Sequence, residues 1–84
     1  NMQYTMSTEL KTLKGSLELP KRNGNMTSDY KKVDVLLTRF WGGSKRNISL
    51  QITFLNEQGD YSHVQLDNEN VKILIEELNN NFNK

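Results

Sequence analysis

The chain has 84 residues, eleven Lys or Arg against ten Asp or Glu, a net charge of +1 and no cysteine. This length holds one domain. The near-neutral balance excludes a strongly basic nucleic-acid coat protein and an acidic DNA mimic, and the lack of thiols excludes disulfides and thiolate metal sites.

No apolar run approaches the ~20 residues needed to span a bilayer, and no apolar signal core opens the chain. The expected setting is therefore the cytoplasm. Eleven asparagines and no alanine point to an AT-rich coding source, such as a phage or another mobile element. Charge is uneven along the chain. Residues 11–46 carry nine Lys or Arg against Glu18, Asp29 and Asp34, while residues 57–77 carry most of the acid.

Residues 1–10 have little pattern and are expected to be flexible or to add a short strand; residues 11–84 form the single domain. The first full strand is expected over Thr12–Leu19. Leu13, Gly15, Leu17 and Leu19 alternate there with Lys14, Ser16 and Glu18, the two-residue period of a half-buried strand. Pro20 ends it. Residues 20–32 form a long polar connection with an Asn23-Gly24 turn signal. Long connections in small domains tend to carry function, and Lys21, Arg22, Lys31 and Lys32 flank this one. They are candidate phosphate contacts.

The second strand is expected over Lys32–Trp41. Val33, Val35 and Leu37 fall on one face and Leu36 and Phe40 on the other, as in a central strand. Gly42 to Asn47 reads as a loop. Its paired glycines would let backbone N–H groups approach an anion, with Ser44, Lys45 and Arg46 adding a hydroxyl and charge. It lacks the spacing of a nucleotide-binding P-loop. The third strand is Ile48–Leu55, a hairpin loop follows over 56–60, and the fourth strand is Tyr61–Leu66.

Val71, Leu74, Ile75, Leu78 and Phe82 then recur at helical spacing. Asp67 stands at the N-cap position, and Leu66 and Val71 have the spacing of a hydrophobic staple. The expected fold is α+β, a four-stranded antiparallel β-meander with one C-terminal α-helix packed on one face. The other face would show Lys14, Ser16, Glu18, Gln51, Thr53, Tyr61, His63 and Gln65. Arg39 and Trp41 would join it, depending on the twist of the second strand.

Catalysis is hard to build from these residues. His63 is the single histidine, and nucleophilic catalysis needs a base beside the nucleophile and a third group to orient that base. The acidic residues show no calcium-loop spacing. The chain is expected to be a non-enzyme with no cofactor and no metal.

The stretch His63-Val-Gln-Leu-Asp-Asn-Glu-Asn-Val-Lys-Ile-Leu-Ile-Glu-Glu-Leu78 resembles the last strand and helix of the PC4-type single-stranded-DNA-binding fold. Val33-Asp-Val-Leu-Leu-Thr-Arg-Phe-Trp41 is similar to that family's apolar strand ending in an aromatic pair, and the element order agrees. The resemblance covers about half the chain. It implies a helix-mediated homodimer and a sheet surface that holds unpaired strands, with Arg39, Trp41, Lys45 and Arg46 as contacts. The chain departs from the family in its extra hairpin between Trp41 and Tyr61 and in its lower basic charge.

Two functions follow as expectations. In the first, the protein binds nucleic acid, single-stranded DNA or RNA. Lys21, Arg22, Lys31, Lys32, Ser44, Lys45 and Arg46 hold phosphates, and Arg39, Trp41, Tyr61 and His63 meet bases. In the second, it binds a host protein, as an inhibitor or regulatory subunit, through an edge strand or the polar sheet face. A continuous positive stripe through Lys21, Arg22, Arg39, Lys45 and Arg46 would favour the first. Scattered positive charge would favour the second.

Overall fold

A computed structural model describes residues 7–19, 29–55 and 59–83. The chain is α+β, an open antiparallel sheet followed by one long helix. The elements are β1 (Thr8–Glu9), β2 (Leu13–Glu18), β3 (Tyr30–Trp41), α1 (Gly43–Arg46), β4 (Ile48–Leu55), β5 (Tyr61–Leu66) and α2 (Asn68–Phe82).

Strand β3 organises the sheet. Its twelve residues are rich in β-branched and aromatic side chains, which suit a pleated, half-buried surface. On one side β3 pairs with β4, and β4 with β5. On its other side it pairs with β1 and β2 in succession. Glu9 faces Thr38 and Leu13 faces Val35. Four steps along the edge thus match three along β3, so one extra residue is inserted between them. This is a β-bulge. The Leu10 N–H donates to the Leu37 carbonyl within it, at 2.9 Å. This edge is therefore two strands, and the sheet has five strands rather than four.

Gly42 to Asn47 is not an extended loop. It closes into one helical turn, with the Gly42 N–H donating to the Asn47 carbonyl and the Asn47 N–H to the Gly43 carbonyl, both at 2.7 Å. Gly43 at φ 94° takes the left-handed backbone that glycine adopts without strain. Gly42 serves a different need: a Cβ there would lie 2.7 Å from the Ser49 Oγ and 2.9 Å from the Arg46 Cβ.

Helix α2 starts as its sequence indicates. The Asp67 carboxylate accepts from the Asn70 N–H at 3.0 Å and from the Asn70 side-chain amide at 2.8 Å. Those two donors, with the charge of Arg46 nearby, hold the Asp67 carboxyl below the usual carboxylate range. The Asn68 amide donates to the Ile48 carbonyl at 2.9 Å and ties the helix start to β4.

The helix meets the sheet at β4 and β5. Val71 and Leu74 are half-buried, whereas Ile75, Leu78 and Phe82, on the same stripe, are exposed. Val33 is the one buried large hydrophobic among the described residues.

Candidate binding surface

Residues opposed in register share a face, so the pairings sort every strand position. One face is apolar. It carries Val33, Val35 and Leu37 from β3, Leu50, Ile52 and Phe54 from β4, and Val64 and Leu66 from β5. Leu13 and Leu17 of β2 join it. The other face is polar, through Thr38, Gln51, Thr53, His63, Gln65 and Tyr61, with Leu36, Phe40 and Leu55 between them.

This sorting corrects part of the expected site. Arg39 pairs with Leu50 and Trp41 with Ile48, so both belong to the apolar face. The reason is parity. Strand β3 runs unbroken from Tyr30 to Trp41, and twist rotates a strand without changing which side alternate residues take. Arg39 and Trp41 therefore share the side of Val33, Val35 and Leu37. The Arg39 guanidinium lies 3.4 Å from the Thr8 hydroxyl, and Trp41 is half-buried. Lys31, opposite Leu17, is also on the apolar face, whereas Lys32, opposite Ser16, is on the polar one. Lys21 and Arg22 lie outside the described residues.

One donor of the expected Gly42-Gly43 anion site is engaged within the turn. The Gly42 N–H is spent on the Asn47 carbonyl, so it is not presented to a phosphate. Ser44 and Lys45 stand exposed on α1. Arg46 turns back over the polar face, and its guanidinium carbon sits 5.6 Å from the centre of the Phe40 ring.

From Arg46 a chain of hydrogen bonds crosses the polar face. The guanidinium donates to Gln65 Oε1 at 2.9 Å, and Gln65 Nε2 donates to Gln51 Oε1 at 2.8 Å. Gln51 Nε2 lies 3.4 Å from the Thr53 Oγ1, which lies 2.9 Å from His63 Nδ1. With Thr53 accepting from Gln51, its own hydroxyl proton is available to His63. This ladder explains why Thr53 is 7% exposed yet sits on a polar face: flanked by Leu36 and His63, it has its hydrogen bonds met. Gln51 and Gln65 were expected on this face, whereas Phe40 was not among the expected contact residues. Phe40 was legible through its four-residue spacing from Leu36, two strand periods, but the partners of the amides depend on strand pairing.

Positive charge on this face is interspersed with negative charge. Lys14 contacts Asp34 at 2.7 Å. Lys14, Lys32 and Arg46 share the surface with Glu9, Glu18 and Asp34. No single stripe joins Arg39 to Arg46, which lie on opposite faces.

The two edges of the sheet also differ. The β1–β2 edge is interrupted by its bulge and carries Glu9, Lys14 and Glu18, all of which discourage another strand from pairing. The β5 edge, Tyr-Ser-His-Val-Gln-Leu, has no charge, proline or glycine. It is the last strand of the sheet among the described residues, and its Tyr61 and Val64 are 67% and 46% exposed.

Among the described residues no cluster of His, Asp or Glu could hold a metal ion, and no helix is long and apolar enough to cross a membrane. Comparison with known proteins finds no matching family model, curated protein or solved structure, so the chain's own geometry is what bears on its function.

Proposed function

We propose that the chain is a protein-binding module that takes an extended segment of its partner along β5. The carrying observation is the contrast between the edges: one is interrupted by a bulge and carries charges, whereas the other has no charge, proline or glycine. An unblocked edge offers a row of backbone donors and acceptors to an incoming strand. The adjoining polar face supplies Tyr61, His63 and Gln65 for side-chain contact. Its mixed charge, fixed amides and exposed tyrosines suit a wet protein interface.

The test uses nuclease-treated cell lysate and the whole chain as bait. The expected result is a protein retained by the wild type and lost by the His63→Lys and Gln65→Lys double variant. Amide exchange in the complex should slow at residues 61–66. Retention indifferent to the edge lysines, or protection confined to other strands, would overturn the reading.

A second reading, binding of unpaired nucleic acid, draws on the Arg46 guanidinium over Phe40, with Lys45 on the adjacent turn. Stacking holds single strands as well as charge does. Lys32, Lys45 and Arg46 would supply the phosphate contacts, so the slope of log affinity against log salt should be about −2, at roughly −0.7 per contact. Phe40→Ala should weaken binding to an oligothymidylate by about 5- to 160-fold, the range of one stacked base. Undetectable binding at low salt sinks this second reading.

A further inference from the structure

We infer that the strand seated on β5 belongs to a cationic segment of the partner, apolar on one side and bearing Lys or Arg on the other, with one of those cations beside Tyr61. The inference rests on the edge reading above and adds the chemistry of the strand that the edge takes. It starts from where charge lies in the fold. The described residues up to the end of β4 carry seven Lys or Arg against four Asp or Glu. From residue 59 onward the balance reverses, with Asp60, Asp67, Glu69, Glu76 and Glu77 against Lys72. Strand β5 ends the sheet on its side, and α2 meets the sheet at β4 and β5. The molecule is thus polarised across its strands, basic toward β2 and acidic toward β5. A field of one sign draws partners of the other and disfavours those of its own.

A strand paired with β5 continues the two-residue alternation of the sheet. On the apolar side its residues lie next to Ser62, Val64 and Leu66. Val64 is 46% exposed, so an aliphatic neighbour gains contact there. On the polar side its residues lie next to Tyr61, His63 and Gln65, and the two ends of this row differ. The Gln65 Oε1 already accepts from the Arg46 guanidinium at 2.9 Å, and that cation repels a second one. Tyr61, at the other end, is 67% exposed and directly follows Asp60, which is exposed as well. The face of an exposed tyrosine attracts Lys or Arg, and a carboxylate next in the chain adds to that attraction. The cation of the partner therefore belongs at the Tyr61 end.

The test uses the whole chain and capped peptides of about ten residues, the upper length of a typical strand, in which valine alternates with lysine, threonine or glutamate. At neutral pH and low salt the lysine peptide should slow amide exchange at residues 61–66. It should bind about 10-fold tighter than the threonine peptide, the sum of a few exposed ion pairs, and the glutamate peptide should bind least. The gap between the lysine and threonine peptides should close at about 1 M salt, where the screening length is about 3 Å. Tyr61→Leu should weaken the lysine peptide about 2- to 5-fold, the range of one exposed cation–π contact, and leave the threonine peptide unchanged. Equal binding of the lysine and threonine peptides, with residues 61–66 still protected, overturns the inference and leaves the edge reading standing. So does a preference for the glutamate peptide. A Tyr61→Leu chain that weakens both peptides equally overturns the placement beside Tyr61. If no peptide protects residues 61–66, the edge reading falls and this inference falls with it.

Discussion

Gly42 shows how one missing carbon sets the geometry of a surface. Its open side lets the backbone of α1 close over Ser49, which is 2% exposed, with its hydroxyl 3.1 Å from the Asn47 carbonyl. That closure aims Arg46 at Gln65 and Phe40. Gly42→Ala should destabilise the fold by about 1–3 kcal/mol, the usual cost of overpacking, with the loss read from urea melts. Asp67 makes the second prediction at this scale. Hydrogen bonds from Asn70 lower its pKa in the folded state, so its stabilising effect is fully present above the ordinary value of about 3.9. It is lost as pH falls through the lowered folded value. Helical circular dichroism should therefore weaken over that acid range, and Asp67→Asn should flatten the response while keeping a capping oxygen.

At the scale of elements, the strands and the long helix were legible for one reason: each shows its period in consecutive residues. Strands β4 and β5 and the Asp67 cap stand where the alternation and the staple placed them. The short elements were less legible. The bulge between β1 and β2 arises from pairing with β3, so no local pattern marks it, and the single turn of α1 reads equally well as a loop. The helix depends on its surroundings in a further way. Isolated helices shorter than about 12–15 residues are marginal in water, and α2, with its asparagine run near the end, is 15 residues long. A peptide spanning residues 67–83 should show little helix alone, and circular dichroism in water checks this. Helix in that isolated peptide comparable to that of the intact chain would mean that α2 needs no tertiary support.

For the molecule as a whole, the balance of its surfaces matters more than any single residue. One sheet face is polar and tied across by the Arg46–Gln65–Gln51 chain. The other is mainly apolar, with Leu13, Ile48 and Val64 on it exposed. The β5 lysine variant should lose its partner and keep the circular dichroism of the wild type.

From its order of residues alone, the chain determined its element types, the alternation of its faces, the helix cap and the absence of thiol chemistry. These depend on neighbours within a few positions, where period and side-chain type act directly. Tertiary structure alone decided the remaining features: that Arg39 and Arg46 lie on opposite faces, that Gly42 spends its N–H internally, that a bulge interrupts the β1–β2 edge, and that Ile75, Leu78 and Phe82 of the helix stripe stay exposed. Each depends on which distant segments meet, and local sequence constrains such meetings only weakly.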